Sequence, residues 1–137
     1  MLFRSTTRGL LVEPMAPNGV ELLLGVRRDP QFGPVVVAGL GGTLTEVLDD
    51  VSIRLAPVDA AEADAMLDGL RGARILAGIR GRPPIDRAAV VSVIVALGRL
   101  AIARPDILEI DLNPVIASAD GAVAVDALVV LEGGQVG

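Results

Sequence analysis

Short apolar stretches separated by turn residues dominate the first part of the chain. The apolar runs at 20–26 and 34–40 and the period-two pattern at 51–56 have the length and the β-branched content of strands. A further run at 10–15 precedes Pro17-Asn-Gly19, a turn signature. We therefore predict four strands, with a proline-rich loop at 27–34 between the second and the third.

The apolar spacing changes to a helical period after residue 58. Asp59 and Glu62 have the spacing of a capping box, which predicts a helix from there to about residue 70. Asp86 is suited to cap a second helix, which Pro105 ends, and 72–84 is predicted to be a connector. The turn 118–121 joins two last apolar strands into a hairpin. This order predicts an α+β domain, with a largely antiparallel sheet and two helices on one face.

The composition removes several classes of function. The 137 residues carry a net charge of −5 and two aromatic side chains, so the chain lacks the basic, stacking surface of nucleic-acid-binding proteins. It has no Cys and no His, and its 12 basic residues are all Arg, which excludes zinc sites and histidine triads within this chain. The longest charge-free apolar stretch, 88–98, is too short to span a bilayer, which needs about 20 residues. We expect a cytoplasmic protein that contacts neither nucleic acid nor a membrane.

The terminal hairpin carries the clearest candidate chemistry. Asp111 and Asn113 lie on its first strand and Asp126 on its second. Paired strands lie about 5 Å apart, so Asn113 and Asp126 can face each other across one rung. One or two carboxylates with an amide oxygen suit Mg²⁺, which leaves its other positions to phosphates and water. The alternative is an ordinary hairpin with solvated polar residues.

Seven motifs occur in a fixed order over residues 10–131. They are Leu11-Val-Glu-Pro-Met15, Gly19-Val-Glu21 with Gly25, Arg28-Asp-Pro-Gln-Phe-Gly-Pro34, Gly39-Leu-Gly-Gly42 with Glu46, Arg80-Gly-Arg-Pro-Pro-Ile-Asp86, Glu109-Ile-Asp-Leu-Asn-Pro114 and Asp126. Each motif alone is weak, but their order is specific. Together they resemble the C-terminal part of the ATP-grasp domain of nucleoside-diphosphate-forming acyl-CoA synthetases, the acetate–CoA ligase and succinyl-CoA synthetase β-type group. We set apart 1–9 as an unmatched extension and 132–137 as a tail.

The resemblance implies an ATP-dependent, ADP-forming acyl-CoA ligase with Mg²⁺ and ATP/ADP as cofactors. Such enzymes transfer a phosphoryl group between nucleotide and an enzyme histidine, and then onto an acyl group that is exchanged for CoA. The resemblance covers one lobe only. The implied partners are an N-terminal ATP-grasp lobe and a CoA-binding domain or subunit that bears the histidine, and we expect this chain to be inactive alone.

The resemblance also assigns roles to individual residues. It implies that Asn113 and Asp126 ligate Mg²⁺, with Asp111 as a further ligand or a supporting group. Residues Glu13, Pro14 and Met15 would meet the adenine. It further implies Glu21 for the ribose or phosphates, and Glu46 with the preceding glycines for the phosphohistidine. Independently of the resemblance, the planar guanidinium groups of Arg80 and Arg82 suit a phosphate or the CoA pyrophosphate.

Each of these residues also has a plain structural interpretation. Glu13 and Glu21 can be exposed acids on strands, Gly41 and Gly42 a simple turn, and Arg80 with Arg82 ordinary surface arginines. Two alternative functions stay open on the same grounds. The chain can be a non-catalytic ATP-grasp-like interaction module, or part of another ATP-grasp carboxylate ligase. We also expect an exposed apolar face where a partner would pack.

Overall fold

The computed structural model describes residues 14–15, 18–42 and 49–134. Within these ranges the chain forms six strands, two α-helices and a short 3-10 helix. Neither α-helix is long and apolar enough to cross a membrane. In chain order the elements are β1 (Val20–Asp29), β2 (Gly33–Leu40), β3 (Val51–Leu55), α1 (Ala60–Asp68), the 3-10 helix (Ala73–Ala77), α2 (Arg87–Ala103), β4 (Ile107–Ser118), β5 (Gly121–Ala124) and β6 (Ala127–Leu131).

The six strands form one antiparallel sheet, so the predicted α+β class is confirmed. Its order is β3-β2-β1-β4, and the far edge of β4 pairs with β5 at one end and with β6 at the other. Every second residue of β1 is buried with α1 and α2 in a single core, as expected when helices cover one face of a sheet. The predicted strand at 10–15 and the turn after it lie largely outside the described residues.

Both helices begin where the sequence predicted. The Asp59 carboxylate accepts a hydrogen bond from the Glu62 amide (2.8 Å), and the Glu62 carboxylate accepts one from the Asp59 amide (2.9 Å), which completes a capping box. Asp86 caps α2 by accepting from the Ala89 amide at 3.0 Å. Capping satisfies amides that have no partner within a helix, so these starts are fixed by local sequence.

A single arginine joins the two helices. The Arg87 guanidinium donates to a carboxylate oxygen of Asp68 at 2.7 Å and to the backbone carbonyl of Asp64 at 2.8 Å. Burial by itself lowers the pKa of Arg87, but the hydrogen bonds to Asp64 and Asp68 outweigh it and raise the pKa above its ordinary value. The guanidinium therefore stays charged and holds α1 against the start of α2.

The predicted loop at 27–34 was too long. β1 continues to Asp29, whose carboxylate oxygen Oδ1 accepts the amides of Gln31 (2.7 Å) and Phe32 (2.9 Å). The proline pattern suggested a longer loop because it says nothing about this carboxylate. By satisfying both amides inside the turn, Asp29 allows the two strands to pair as far as Gly33.

Arg28 ties β1 to the end of α2. Its guanidinium donates to the backbone carbonyls of Ala101 (2.8 Å), Ile107 (3.1 Å) and Arg104 (3.4 Å). A cation that bonds the last carbonyls of a helix satisfies groups that would otherwise have no partner. Beside it, the hydrogen bond from the exposed Arg104 side chain lowers the pKa of Asp106. The junction of α2 and β4 is thus held by charged side chains, and the motif that contains Arg28 did not predict this role.

The predicted connector at 72–84 contains the 3-10 helix and is anchored by a buried acid. Asp50 is only 3% exposed, and its two carboxylate oxygens accept the amides of Arg71 (2.7 Å) and Gly72 (2.8 Å). A side chain on Gly72 would lie 2.3 Å from a methyl carbon of Leu40, so the connector packs directly on β2. The contacts are about twenty residues apart in sequence, which is why local patterns do not predict them.

We expect Asp50→Asn to destabilise the fold by about 2 kcal/mol, because an amide side chain offers one acceptor to two buried amides. Asp49→Asn is the matched control. It makes the same change at the adjacent, exposed position, where the positive φ of 44° suits Asn. Chemical denaturation of both variants measures the difference, and equal stabilities would contradict the anchoring role of Asp50.

Candidate functional site

Asn113 and Asp126 lie opposite each other in the terminal hairpin. The Asn113 amide donates to the backbone carbonyl of Asp126 at 3.2 Å, and the Val125 amide donates to that of Pro114 at 3.0 Å. Both Asn113 and Asp126 are exposed. The predicted rung is therefore present, and it places an amide side chain and a carboxylate on neighbouring backbone positions at the surface.

Two irregularities surround this rung. On its β1 side, Leu22 pairs with Val115 and Leu24 with Leu112, so Asn113 and Pro114 together oppose the single residue Leu23. Such a bulge interrupts the alternation of side chains. Strand alternation alone therefore does not place Asn113 on the same face as Asp111, because period two ends at the bulge. On the other side, the second strand breaks at 125–126 into β5 and β6.

The backbone next to the break between β5 and β6 orients the Asp126 carboxylate. Its oxygen Oδ1 accepts the amide of Ala127 at 2.9 Å, while Oδ2 has no hydrogen-bond donor among the described residues. A carboxylate held by one oxygen with the other one free is suited to bind a cation. This backbone contact restricts the side chain without neutralising its charge.

Asp111 lies on the sheet face opposite the helices. It pairs with Gly25 on β1 and with Leu128 on β6, and it is half-buried. A side chain at Gly25 would lie 2.4 Å from the Ile110 carbonyl oxygen, so β1 and β4 approach closely beside Asp111. Two residues earlier, the Glu109 carboxylate forms an ion pair with the Arg27 guanidinium at 3.6 Å, which joins β4 to β1. Of the three acidic or amide positions on β4, Glu109 is the one that already has a cationic partner.

The donor set fits Mg²⁺ better than a metal held by protein alone. No group of three or more His, Cys, Asp or Glu side chains able to hold a metal occurs in the part of the chain that the structure describes. Asp111, Asn113 and Asp126 offer two carboxylates and one amide oxygen. Mg²⁺ is commonly held by one or two carboxylates together with phosphate oxygens and water, so this set fits an ion that arrives with a nucleotide.

Glu21 lies beside the glycine turn that follows β2. The Gly41 amide donates to the Glu21 carbonyl at 2.8 Å, and Gly42 has a positive φ of 76°. A methyl group on Gly42 would lie 2.5 Å from the Glu21 carboxylate oxygen Oε2. Gly42 therefore provides the space in which the exposed Glu21 side chain rests. The structure brings together two motifs that are separated by twenty residues in sequence.

The other predicted site residues have different positions. Pro14 and Met15 are exposed, with 93% of Met15 accessible to solvent. Glu13 and Glu46 lie outside the described residues, so their predicted roles stay predictions. Arg80 is exposed in the loop after the 3-10 helix, away from the rung on β4, and lines a cavity at the end of the sheet.

Sequence reasoning missed Arg27, because residues 27–34 were assigned to a loop. The alternation of β1 carries a signal for it, since Arg27 falls two positions after Gly25 on the face that bears Asp111 and Glu109. Asn18 and Ser118, which line the cavity with Arg80, were also missed. They come together only through the pairing of β1 with β4, and no local pattern marks them.

Comparison with known proteins shows the family of the chain. The family model of the ATP-grasp domain matches residues 3–131, which includes most of the segment set apart as an N-terminal extension. The β subunit of acetate–CoA ligase (ADP-forming) I from Pyrococcus furiosus is 46% identical over 123 residues, which cover 90% of this chain and 53% of that subunit. Acetate–CoA ligase (ADP-forming) I from Archaeoglobus fulgidus is 41% identical over 128 residues, 93% of this chain and 19% of the relative.

A solved structure shares the fold at similar identity. It is the dinucleotide forming acetyl-coenzyme A synthetase 1 of Ca. Korarchaeum cryptofilum in complex with coenzyme A and Mg-AMPPCP. The match has a TM-score of 0.82 and 44% identity, and covers 85% of this chain and 55% of that one. The chain spans about half the length of the β subunit and of this structure, and about a fifth of the Archaeoglobus fulgidus relative. On the family match and these likenesses together, the chain belongs to the ATP-grasp domain family and is similar within it to the ADP-forming acetate–CoA ligases.

Proposed function

We propose that this chain provides the lobe of an ADP-forming acyl-CoA synthetase that binds the nucleotide with its Mg²⁺ ion. In this reaction a phosphoryl group moves between ATP and a histidine, and then onto an acyl group that is exchanged for coenzyme A. The names of the relatives support the reaction class. The chain has no His, so the phosphorylated residue would belong to a separate CoA-binding domain or subunit.

The observation that carries this proposal is the rung between Asn113 and Asp126. A 3.2 Å backbone hydrogen bond joins the Asn113 N–H to the Asp126 carbonyl, and both residues are exposed. Their side chains, an amide and a carboxylate, therefore offer two oxygen ligands on one short stretch of sheet. Bound Mg²⁺ would neutralise the charge that develops on the transferred phosphoryl group. The related synthetase was solved in complex with Mg-AMPPCP, a nucleotide analogue with its magnesium ion.

Asp111 would support the same ion from the adjacent part of β4. It lies two residues before Asn113 on β4, and its partner on β1 is Gly25, which has no side chain. Since Glu109 is paired with Arg27, Asp111 is the better candidate for a third oxygen. Its role is to position the nucleotide phosphates together with Asp126.

Glu21 would contact the ribose or the phosphates from the neighbouring strand. It is exposed on β1, and its carboxylate rests on Gly42 at the end of β2. A carboxylate at this position can accept hydrogen bonds from ribose hydroxyls. Pro14 and Met15, both exposed, belong in this proposal to the surface that meets the adenine.

The apolar face of β3 supports the proposed partner lobe. Ile53 and Leu55 are 53% and 58% exposed, and the pairing of β3 with β2 puts them on the face opposite the helices. Exposed apolar side chains side by side on a sheet are typical of a surface that another element covers. A second lobe, with the lysine that this chain lacks, would close on this face and over the nucleotide.

The metal site can be tested on the chain itself by NMR titration with Mn²⁺, with and without ADP. We expect selective paramagnetic broadening of the Asp111, Asn113 and Asp126 amides, at lower Mn²⁺ concentration when ADP is present. Asp126→Asn should weaken the effect at least about tenfold, since loss of even a supporting partner commonly costs a metal site that much. Asp120→Asn is the matched control, because Asp120 is an exposed acid at the tip of the same hairpin.

Two results would contradict the metal assignment. One is a folded chain whose β4 amides stay sharp when Mn²⁺ and ADP are both present. The other is equal loss in Asp126→Asn and Asp120→Asn, which would indicate general attraction of cations to acidic residues. In either case the non-catalytic interaction module becomes the better interpretation.

The contact between Glu21 and Gly42 gives a second test. Gly42→Ala places a methyl group against the Glu21 carboxylate, so ADP affinity in the presence of Mg²⁺ should fall about two- to tenfold if one hydrogen bond is lost. Gly33→Ala is the control, since Gly33 has a similar φ of 78° but open space where its methyl group would lie. Both variants carry the same left-handed strain of about 1 kcal/mol. Calorimetric titration with ADP distinguishes the two variants, and equal ADP affinities would contradict the assignment of Glu21.

A further inference from the structure

A cavity of about 600 Å³ lies at the end of the sheet, next to the loop that follows the 3-10 helix. Its floor is apolar and includes Val20, Ile75 and Ile85. Val20 and Ile75 pack against the hydrophobic core and Ile85 belongs to it, so the cavity opens on the helix-bearing side of the sheet. By strand register, Asp111 faces the other side. The cavity is therefore separate from the proposed metal site.

The charge of this cavity is opposite to that of the protein. Arg80 and Arg82 line it, and none of the described residues that line it is acidic, although the chain as a whole has a net charge of −5. Neither guanidinium makes a hydrogen bond or an ion pair with a described residue. By contrast, Arg27, Arg28, Arg87 and Arg104 all have such partners. Two unpaired arginines over an apolar floor form a site that favours an anion with an apolar portion.

The loop that presents these arginines is fixed in shape. The Arg82 amide donates to the Ile79 carbonyl (3.1 Å), and the Asp86 amide donates to the Ser118 carbonyl (2.7 Å), which joins the loop to β4. A side chain at Gly78 would lie 2.4 Å from the Arg82 carbonyl oxygen, so the loop is tightly folded on itself. The arginines are presented on a preformed frame, which reduces the entropy lost on binding.

Arg80 is also held in an unfavourable conformation. Its φ is 51°, a region that side chains other than Gly, Asn and Asp seldom adopt. Residues in strained conformations concentrate at ligand sites, where the surrounding structure maintains them. Ile79, the neighbouring residue, is 46% exposed at the cavity, and a ligand would cover it. The strained backbone of Arg80 and the exposed apolar side chain of Ile79 are thus neighbours at the cavity.

From these observations we propose that the cavity binds a soluble organic phosphate, with the phosphate group between Arg80 and Arg82 and an apolar portion on the isoleucine floor. Planar guanidinium groups form paired hydrogen bonds with phosphate oxygens. Asn18 and Ser118, which also line the cavity, add a side-chain amide and a hydroxyl able to donate. The volume lies within the range of sites that hold small organic ligands. The site needs no metal ion, and its existence does not depend on the proposed nucleotide site.

Octyl phosphate, used below its micelle concentration, is a suitable probe for NMR titration of the chain. We expect saturable shifts of the Ile79, Arg82 and Ser118 amides, and weaker binding of inorganic phosphate, which has no apolar portion. Arg80→Gln and Arg82→Gln should each weaken octyl phosphate binding about tenfold, as expected when a hydrogen bond to a charged group is lost. Both residues are exposed and without partners, so the fold should be kept.

Arg74→Gln is the matched control, because Arg74 is an exposed arginine on the adjacent 3-10 helix that does not line the cavity. It should bind octyl phosphate like the unchanged chain. Equal binding of octyltrimethylammonium would show a non-selective apolar crevice and would overturn the proposal. So would equal loss in all three arginine variants, or the absence of saturable shifts.

Two further ligands distinguish the source of the phosphate. Tighter binding to vesicles that contain phosphatidic acid than to octyl phosphate would move the site to a lipid surface and contradict a soluble ligand. A short acidic peptide that binds as well as octyl phosphate would instead indicate a protein partner. The Mn²⁺ titration with ADP is read at the Asp111, Asn113 and Asp126 amides and the octyl phosphate titration at the Ile79 and Arg82 amides, so failure at the cavity and failure at the metal site remain distinguishable.

Discussion

The pairing of β4 along both of its edges is the constraint on which the rest of the structure depends. A strand in the interior of a sheet must satisfy its backbone amides and carbonyls on two sides, and here β1 does so on one side while β5 and β6 share the other. This arrangement fixes Asp111 opposite Gly25 and Asn113 opposite Asp126. A slip of one residue would move Asp111 into the apolar core, so the buried face of the sheet enforces the register of the candidate site.

Short-range sequence signals predicted the helices and strands. The structural features that the sequence analysis missed depend on contacts between residues far apart in the chain. The capping box of Asp59 and Glu62 involves residues three apart, and the sequence therefore gives the helix start directly. Asp50 anchors residues about twenty positions away, and Arg28 reaches carbonyls more than seventy positions away. Neither contact leaves a periodic pattern. The same distinction holds at the site, where the hairpin spacing predicted the rung but the bulge against Leu23 depends on a third strand.

The two proposed sites would handle phosphate in opposite ways. At the rung on β4, negative side chains would reach the phosphates through a cation, because carboxylates and phosphates repel each other directly. At the cavity, Arg80 and Arg82 would contact the phosphate without an intermediary. Because the chain has an excess of acids, the unpaired Arg80 and Arg82 give one end of the sheet a positive electrostatic potential that differs in sign from the net charge.

The bond network of Arg28 links the stability of α2 to that of the sheet. The last turn of a helix ordinarily frays, because its carbonyls lack partners. Here the guanidinium that holds the carbonyls of Ala101 and Arg104 is anchored in β1 at the centre of the sheet. The final turn of α2 and the β1–β4 ladder therefore belong to one cooperative unit. In hydrogen exchange, the amides of that turn would open together with the middle strands.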